Sequence, residues 1–344
     1  MTQSPFGTGE WPAVTFLIPT LNSAETLTGC LQSIFELDYE MGQIRVWILD
    51  GMSTDGTVEL AKDFDVRVFR LGGNPAVAYN SVLSNVTTPF VALVDSDAMV
   101  DKSWLRIMLT RLADTDSDAA GSRILSASPD TFWAKAIGRE LDDRYSRLPS
   151  SVERIATTCM VLNTEVLRKI GGFDEDLPTG YDWALGYELS KGGSRIVFVP
   201  EAVVFHSHRR SLSGYARQQF AYGRDAVRLT RRWPKALSGD AVTPWWMTVQ
   251  PVILLAIALL VIVSLAIPQL LIPLAGIALG GVSVLLPIWM GTAIRVVVRT
   301  KDVRSFAGLM TIGVVRAEAW TLGIAKGVVW MITAAMRAVR EDGD

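Results

Sequence analysis

Residues 241–294 carry no Asp, Glu, Lys, Arg or His. That run constrains the fold more than any other feature of the chain. It is long enough for two membrane spans at about 20 residues each. Pro268-Gln269 interrupts it, which predicts a tight hairpin with spans near 249–267 and 270–294. The alternative is a helix pair buried inside a soluble protein, and the length and purity of the run argue against it. Arg224, Arg228, Arg231, Arg232 and Lys235 precede the hairpin, and Arg295, Arg299, Lys301 and Arg304 follow it. By the positive-inside rule both flanks are expected in the cytoplasm, which leaves the preceding domain in the cytosol. The polar, Gly- and Pro-bearing stretch from Met1 to Trp11 has no apolar h-region, so no cleaved secretory signal is expected.

A further apolar stretch, 306–335, carries Arg316, Glu318 and Lys326. Charges at mid-span are costly and tend to face a bundle interior or a site. A single span would put Arg337 and Arg340 outside, against the rule; a re-entrant pair or an interfacial helix would keep them inside. Both of these stay open. Residues 215–233 carry Arg217, Arg224, Arg228, Arg231, Arg232 and Trp233 and read as an amphipathic helix on the cytosolic lipid face, with a solvated charged face as the alternative.

The remainder reads as a soluble α/β domain. Apolar runs predict strands at 14–18, 44–49, 66–69 and 90–94. Helices are expected between them: one with Leu27, Leu31, Ile34 and Leu37 at helical spacing behind an Asn22/Glu25 capping box, one capped from 53–55 and running to Phe64, and one over 76–86. Such alternation implies a mostly parallel sheet covered on both faces. The formal net charge of −2 gives no global attraction to nucleic acid. Cys30 and Cys159 are the only cysteines and are expected as buried free thiols.

Asp95-Ser96-Asp97 leaves the fourth strand, at the carboxyl rim where such sheets bind ligands. Two hard oxygen ligands there suit Mg²⁺ or Mn²⁺, and such an ion suits a diphosphate. Asp50 ends the second strand on the same rim and can accept from a nucleobase N–H or a ribose hydroxyl; a loop-ordering turn is the other reading. Asp55 has the character of a helix cap.

These motifs, in order, resemble family 2 glycosyltransferases of the GT-A fold over about residues 13–232. Ile18-Pro19-Thr20-Leu21-Asn22 matches the opening loop. Asp50-Gly51-Met52-Ser53-Thr54-Asp55-Gly56-Thr57 matches "DDGSTDGT" with Gly51 for the second Asp. Asn74 to Asn80 resembles "G-x-x-x-A-R-N", with Tyr79 where Arg is common. Gly171-Gly172-Phe173-Asp174-Glu175 matches "GGFDE", and Tyr181 to Leu185 falls where the family has "E-D-x-D-L", keeping only Asp182 and Leu185. Pro200 to His206 matches "P-x-A-x-x-x-H". The stretch 217–224 and Trp320-Thr321-Leu322-Gly323 resemble succinoglycan-biosynthesis (ExoA-like) transferases.

The resemblance implies a GT-A catalytic domain over 13–210, after an N-terminal tail of 1–12. A basic juxtamembrane helix (211–240), a transmembrane region (241–336) and a C-terminal tail (337–344) would follow. It implies inverting transfer from a UDP- or GDP-sugar, with Asp97, Asp95 and His206 on Mg²⁺ or Mn²⁺. Donor contacts would come from Pro19, Thr20, Asn22, Asp50, Asn80, Asp95 and Ser96. Asp182 would be the base, with Asp174 or Glu188 as alternatives, and Asp95 could instead hold the ribose. The expected acceptor is lipid-linked, polyprenyl-borne and part of glycan synthesis, at the cytoplasmic membrane. A polyprenyl-phosphate monosaccharide synthase and a processive polysaccharide synthase are variants of this reading; the latter's "Q-x-x-R-W" is missing after Gln219. A scaffold that kept the fold without activity is the non-enzymatic alternative.

Overall fold

The computed structural model describes residues 6, 10–127 and 130–341. The side chains of Arg337 and Arg340, and most of the expected terminal tails, lie outside the described residues. The chain forms two compact units, Met1–Pro129 with Arg144–His208, and Asp130–Asp143 with Arg209–Asp344.

The first unit is built on one sheet. Strands β1 (Val14–Thr20), β2 (Ile44–Asp50), β3 (Arg67–Arg70) and β4 (Phe90–Val94) are parallel and lie in the order β3-β2-β1-β4. Helices α1 (Leu27–Phe35), α2 (Thr57–Ala61) and α3 (Pro75–Leu83) connect them. β4 is buried along its whole length, as a strand covered on both faces must be. Leu27, Leu31, Ile34 and Leu37 are buried at the predicted helical spacing, and both cysteines are buried free thiols.

Beyond β4 the sheet becomes mixed. The later elements are β5 (Ala98–Val100), α4 (Trp104–Thr115), β6 (Ala119–Ser126), α5 (Phe132–Tyr145), β7 (Ser151–Val152), β8 (Cys159–Asn163), α6 (Thr164–Lys169), α7 (Tyr181–Lys191) and β9 (Ile196–His206). β8 pairs antiparallel with β4 and β6, and the order continues β4-β8-β6-β9-β5. β9 pairs with β6 up to Val199 and resumes at Val203, so it bulges around Pro200, which has no N–H for the ladder. Past the bulge β9 also pairs with β5, with Ala98 opposite His206. That register carries the end of β9 to the rim where Asp95 and Asp97 stand.

Two expected helix starts are corrected. Asn22 does not cap α1, whose N-cap is Thr26 with no side-chain hydrogen bond. Asn22 sits in the left-handed region (φ 52°), donates its N–H to Ser53 Oγ and accepts from Thr54 N–H. It ties the first rim loop to the second, a use that a capping pattern hides. The helix after Asp50 is also shorter than expected. Gly56, in the left-handed region, is the N-cap and delays the start to Thr57; Asp55, one residue before the cap, accepts from Thr57 N–H without capping the helix.

The second unit contains residues 130–143, which include most of α5, then α8 (Leu212–Arg232), α9 (Trp245–Ala266), α10 (Leu271–Thr300) and α11 (Arg304–Glu341). α9 and α10 are long and apolar enough to cross a membrane, and a short 3₁₀ turn at Pro268–Leu270 joins them. Only 17% and 6% of their apolar windows are buried within the described chain. Side chains such as Leu259, Leu265, Ile272 and Leu279 point outward.

α11 is one unbroken helix, which rules out a re-entrant pair. It packs closely along α8: a Cβ at Gly223 would meet the Trp320 backbone oxygen at 2.4 Å, and one at Gly323 would meet the Phe220 oxygen at 2.2 Å. The mid-stretch charge is explained by α5. Arg316 is buried and donates to Glu140 at 2.9 Å. Arg299 pairs with Asp142 and Arg295 with Asp143, while Arg139 pairs with Asp302. A buried ion pair is tolerated where both partners are present and costly where one is removed. The two members of each pair lie more than 150 residues apart in sequence, so no local pattern reveals them.

Candidate active site

The site lies at the carboxyl ends of β1, β2 and β4, where the parallel strands deliver their polar loop residues together. Asp95 and Asp97 leave β4, and β9 brings His206 beside them. One ligand atom from each of Asp95, Asp97 and His206 lies within 4.8 Å of the others. His206 Nε2 stands 3.1 Å from Asp97 Oδ1, and His206 Nδ1 stands 3.3 Å from His208 Nδ1. Two carboxylates and an imidazole are a donor set that fits Mn²⁺ or Mg²⁺.

Asp95 also accepts a hydrogen bond from Thr158 Oγ1. Burial, then the Asp97 carboxylate, raise its pKa to about 6, against the opposing pull of His206 and Thr158. Two carboxylates this close share their charge poorly, and a cation between them would relieve it.

The other predicted site residues surround this group. Ser96 shares a 2.8 Å hydrogen bond with Ser23, which fixes the loop after β1 against the loop after β4. Pro19 and Thr20 end β1, and Thr20 Oγ1 donates to Asp50 at 3.4 Å. Asp50 is fully buried and accepts from Ser53 N–H and from Arg70 Nε at 3.3 Å. Its carboxylate thus orders the 51–57 loop. Asn80 is spent on the "GGFDE" loop: its Nδ2 donates to Phe173 O and Glu175 Oε1, and its Oδ1 accepts from Phe173 N–H. Gly172 is required there, because it has φ 79° and a Cβ would meet Asn80 Oδ1 at 2.3 Å.

Asp182 stands in the first turn of α7, two residues past the left-handed Gly180. It is not the N-cap, so its carboxylate is not committed to capping. It faces Arg154 at 3.6 Å, and Arg154 is itself buried, with its guanidinium 4.2 Å over the Trp183 ring. Gly186 permits this approach, since a Cβ there would meet Arg154 Cβ at 2.2 Å. The charge on Asp182 is the smallest of the causes that act on the Asp95 carboxyl.

Arg70, Arg154 and Thr158 carry no signal that the sequence motifs capture. Arg70 has one of another kind: it ends β3 as Asp50 ends β2, and the two are register partners. Nothing local marks Arg154 or Thr158; they arrive on the loop between β7 and β8.

A sheet in this order, with an acidic pair and a histidine on its rim, defines the GT-A fold. The mannosyltransferase PcManGT from Pyrobaculum calidifontis, solved with GDP-Man and Mn²⁺, shares it. The match has a TM-score of 0.56 and 20% identity over 92% of this chain and 89% of that one. Residues 15–171 match the family described as Glycosyl transferase family 2. Among curated proteins, the pre-mycofactocin glycosyltransferase of Mycobacterium tuberculosis is 30% identical over 67% of this chain and 52% of its own length. The chain therefore spans about half of that relative. A dolichyl N-acetyl-glucosaminyl phosphate glucuronosyltransferase of Methanococcus voltae is 22% identical over 61% of this chain and 71% of its own length.

Proposed function

We propose that this protein is a metal-dependent, inverting glycosyltransferase that moves a sugar from a nucleoside-diphosphate sugar to a lipid-linked acceptor in glycan synthesis. The observation that carries this reading is the pairing of Asp95, Asp97 and His206 with a separate carboxylate, Asp182, on the rim of a family 2 domain. The domain runs on into a basic helix, α8, and two helices apolar enough to span a membrane. That order supports a membrane-borne acceptor and a cytosolic site, and relatives named for a dolichyl phosphate substrate and a glucosyldiacylglycerol product support such an acceptor.

Asp97, Asp95 and His206 would hold the cation. When bound, Mg²⁺ or Mn²⁺ neutralises the charge that develops on the departing diphosphate. Asp182 takes the proton from the acceptor hydroxyl as its oxygen attacks the anomeric carbon, and the nucleoside diphosphate leaves from the opposite face. Arg154 and the Trp183 ring hold that carboxylate in one orientation. Asp50, Ser96 and the Asn22 clamp shape the loops that receive the nucleotide.

The test is donor turnover by the full chain in detergent, with UDP- and GDP-sugars, Mn²⁺ or Mg²⁺, and membrane lipid extract added or withheld. Metal-dependent release of nucleoside diphosphate, raised by the lipid, is expected. Nucleotide binding with no turnover of any donor, even with lipid present, would instead favour the scaffold reading.

The raised pKa of Asp95 gives a pH dependence with a defined sign. In the folded chain Asp95 is protonated below about pH 6, and a cation must then displace that proton. Above it the carboxylate is charged and repelled by Asp97, so the cation-free fold is penalised and metal binding relieves it. Thermal unfolding should therefore show a larger Mn²⁺-induced rise at pH 7.5 than at pH 5. An equal rise at both would mean that Asp95 is not a ligand.

A further inference from the structure

The chain departs from the family pattern at Tyr79, where Arg is common, and at Tyr181, where the pattern has Glu. The fold brings these two departures together. Their rings lie 6.2 Å apart. Phe173 packs against both, stacked on Tyr79 at 4.6 Å and edge-on to Tyr181 at 6.1 Å. A positive and a negative residue have both given way to neutral rings with hydroxyls, so the change leaves the local charge balanced.

Tyr79 is 0% exposed, and its hydroxyl has no hydrogen-bond partner among the described residues. A buried hydroxyl without a partner costs free energy, and Phe at the same place would avoid that cost. The Tyr79 hydroxyl is also held well above its ordinary pKa by burial and then by Tyr181, Asp95 and Asp182. It therefore stays protonated and is available as a donor.

The groups that bear on it are the two sides of the proposed reaction. Asp95 belongs to the cation and diphosphate side, and Asp182 to the acceptor side. The anomeric carbon and its ring must pass between them. The Tyr79 ring lies beside Tyr181, which directly precedes Asp182 in α7, so its buried hydroxyl belongs to the wall along which the sugar ring must pass.

We propose that Tyr79 binds the donor sugar: its hydroxyl donates to an oxygen of the sugar being transferred, with Tyr181 and Phe173 as the wall beside it. This rests on the reading of Asp95 and Asp182 given above. Tyr79 is fully buried, so this role requires the half-buried Tyr181, in the first turn of α7, to turn aside as the sugar seats, and the pair of tyrosines would then select among sugars that share one nucleotide.

The experiment compares the full chain with Tyr79→Phe in detergent with Mn²⁺. Binding of UDP, UDP-GlcNAc, GDP and GDP-mannose is titrated, and thermal unfolding is recorded. Tyr79→Phe should unfold at the same or a higher temperature and bind UDP and GDP within about twofold of wild type. It should lose about tenfold in affinity for whichever nucleotide sugar the wild type binds, the effect of one lost hydrogen bond. Unchanged affinity for all four ligands would overturn the proposal and make Tyr79 a core residue. An equal loss for nucleotides with and without sugar would also overturn it, by placing the hydroxyl on the diphosphate. Asp182→Asn runs alongside: loss of turnover there, with normal sugar binding by Tyr79→Phe, would leave the base in place and remove this inference alone. A wild type that binds none of the four would remove both.

Discussion

Asp182→Asn should lower the turnover number by about 10²–10⁴-fold, the range for removing a positioned general base. Binding of the nucleotide sugar should be nearly unchanged. The amide has the size and shape of the carboxylate and cannot take the acceptor proton. Arg154 loses its charged partner at 3.6 Å, so some loss of stability accompanies the change. Rate and affinity measured on the same preparation separate the two effects. If turnover survives within about tenfold, Asp182 is not the base, and Asp174 and Glu188 become the candidates.

The second large effect concerns the cation. Asp97→Asn should abolish donor turnover and the Mn²⁺-induced rise in unfolding temperature together, because one substitution removes a charged ligand that also meets His206 at 3.1 Å. The loss of turnover should be at least about 10²-fold, the scale of losing one preorganised electrostatic contact to a leaving group. The unfolding temperature without metal should hold or rise, since repulsion between Asp97 and Asp95 is relieved. Loss of activity with an intact Mn²⁺ response would move the metal elsewhere, and Asp97 would then act on the substrate directly.

Much of this site is legible in the amino-acid sequence. An acidic pair at the end of an apolar run is visible because strands buried on both faces are apolar throughout, and the first charge marks the rim. Asp50, Asp95 and Asp97 stand at the ends of strands in the parallel run, so their placement on one rim follows from the strand pattern. The use to which a polar side chain is put is not legible in the same way. Asn22 has the spacing of a capping residue, yet a left-handed backbone turns it toward Ser53 and Thr54. Asn80 is expected as a donor contact, and nothing in its sequence pattern reveals that its amide also holds the loop of Gly172 and Phe173. Hydrogen bonds between loops distant in sequence leave no periodicity.

The same division holds in the helical unit. Composition alone determined that residues 241–294 form two helices apolar enough for a membrane, because burial in lipid excludes charge over a fixed length. It could not decide the fate of 306–335, since Arg316 is costly or harmless depending on what faces it. Only the tertiary structure decided that, by setting Glu140 of α5 against Arg316. The first unit divides the same way: strand pattern determined the rim and its acidic pair, whereas the bulge at Pro200 and the pairing of β9 with β5 decided that His206 joins them. Local patterns record which face of an element is buried. Which charges meet across 100 residues or more is set by register and packing, and no single segment carries that information.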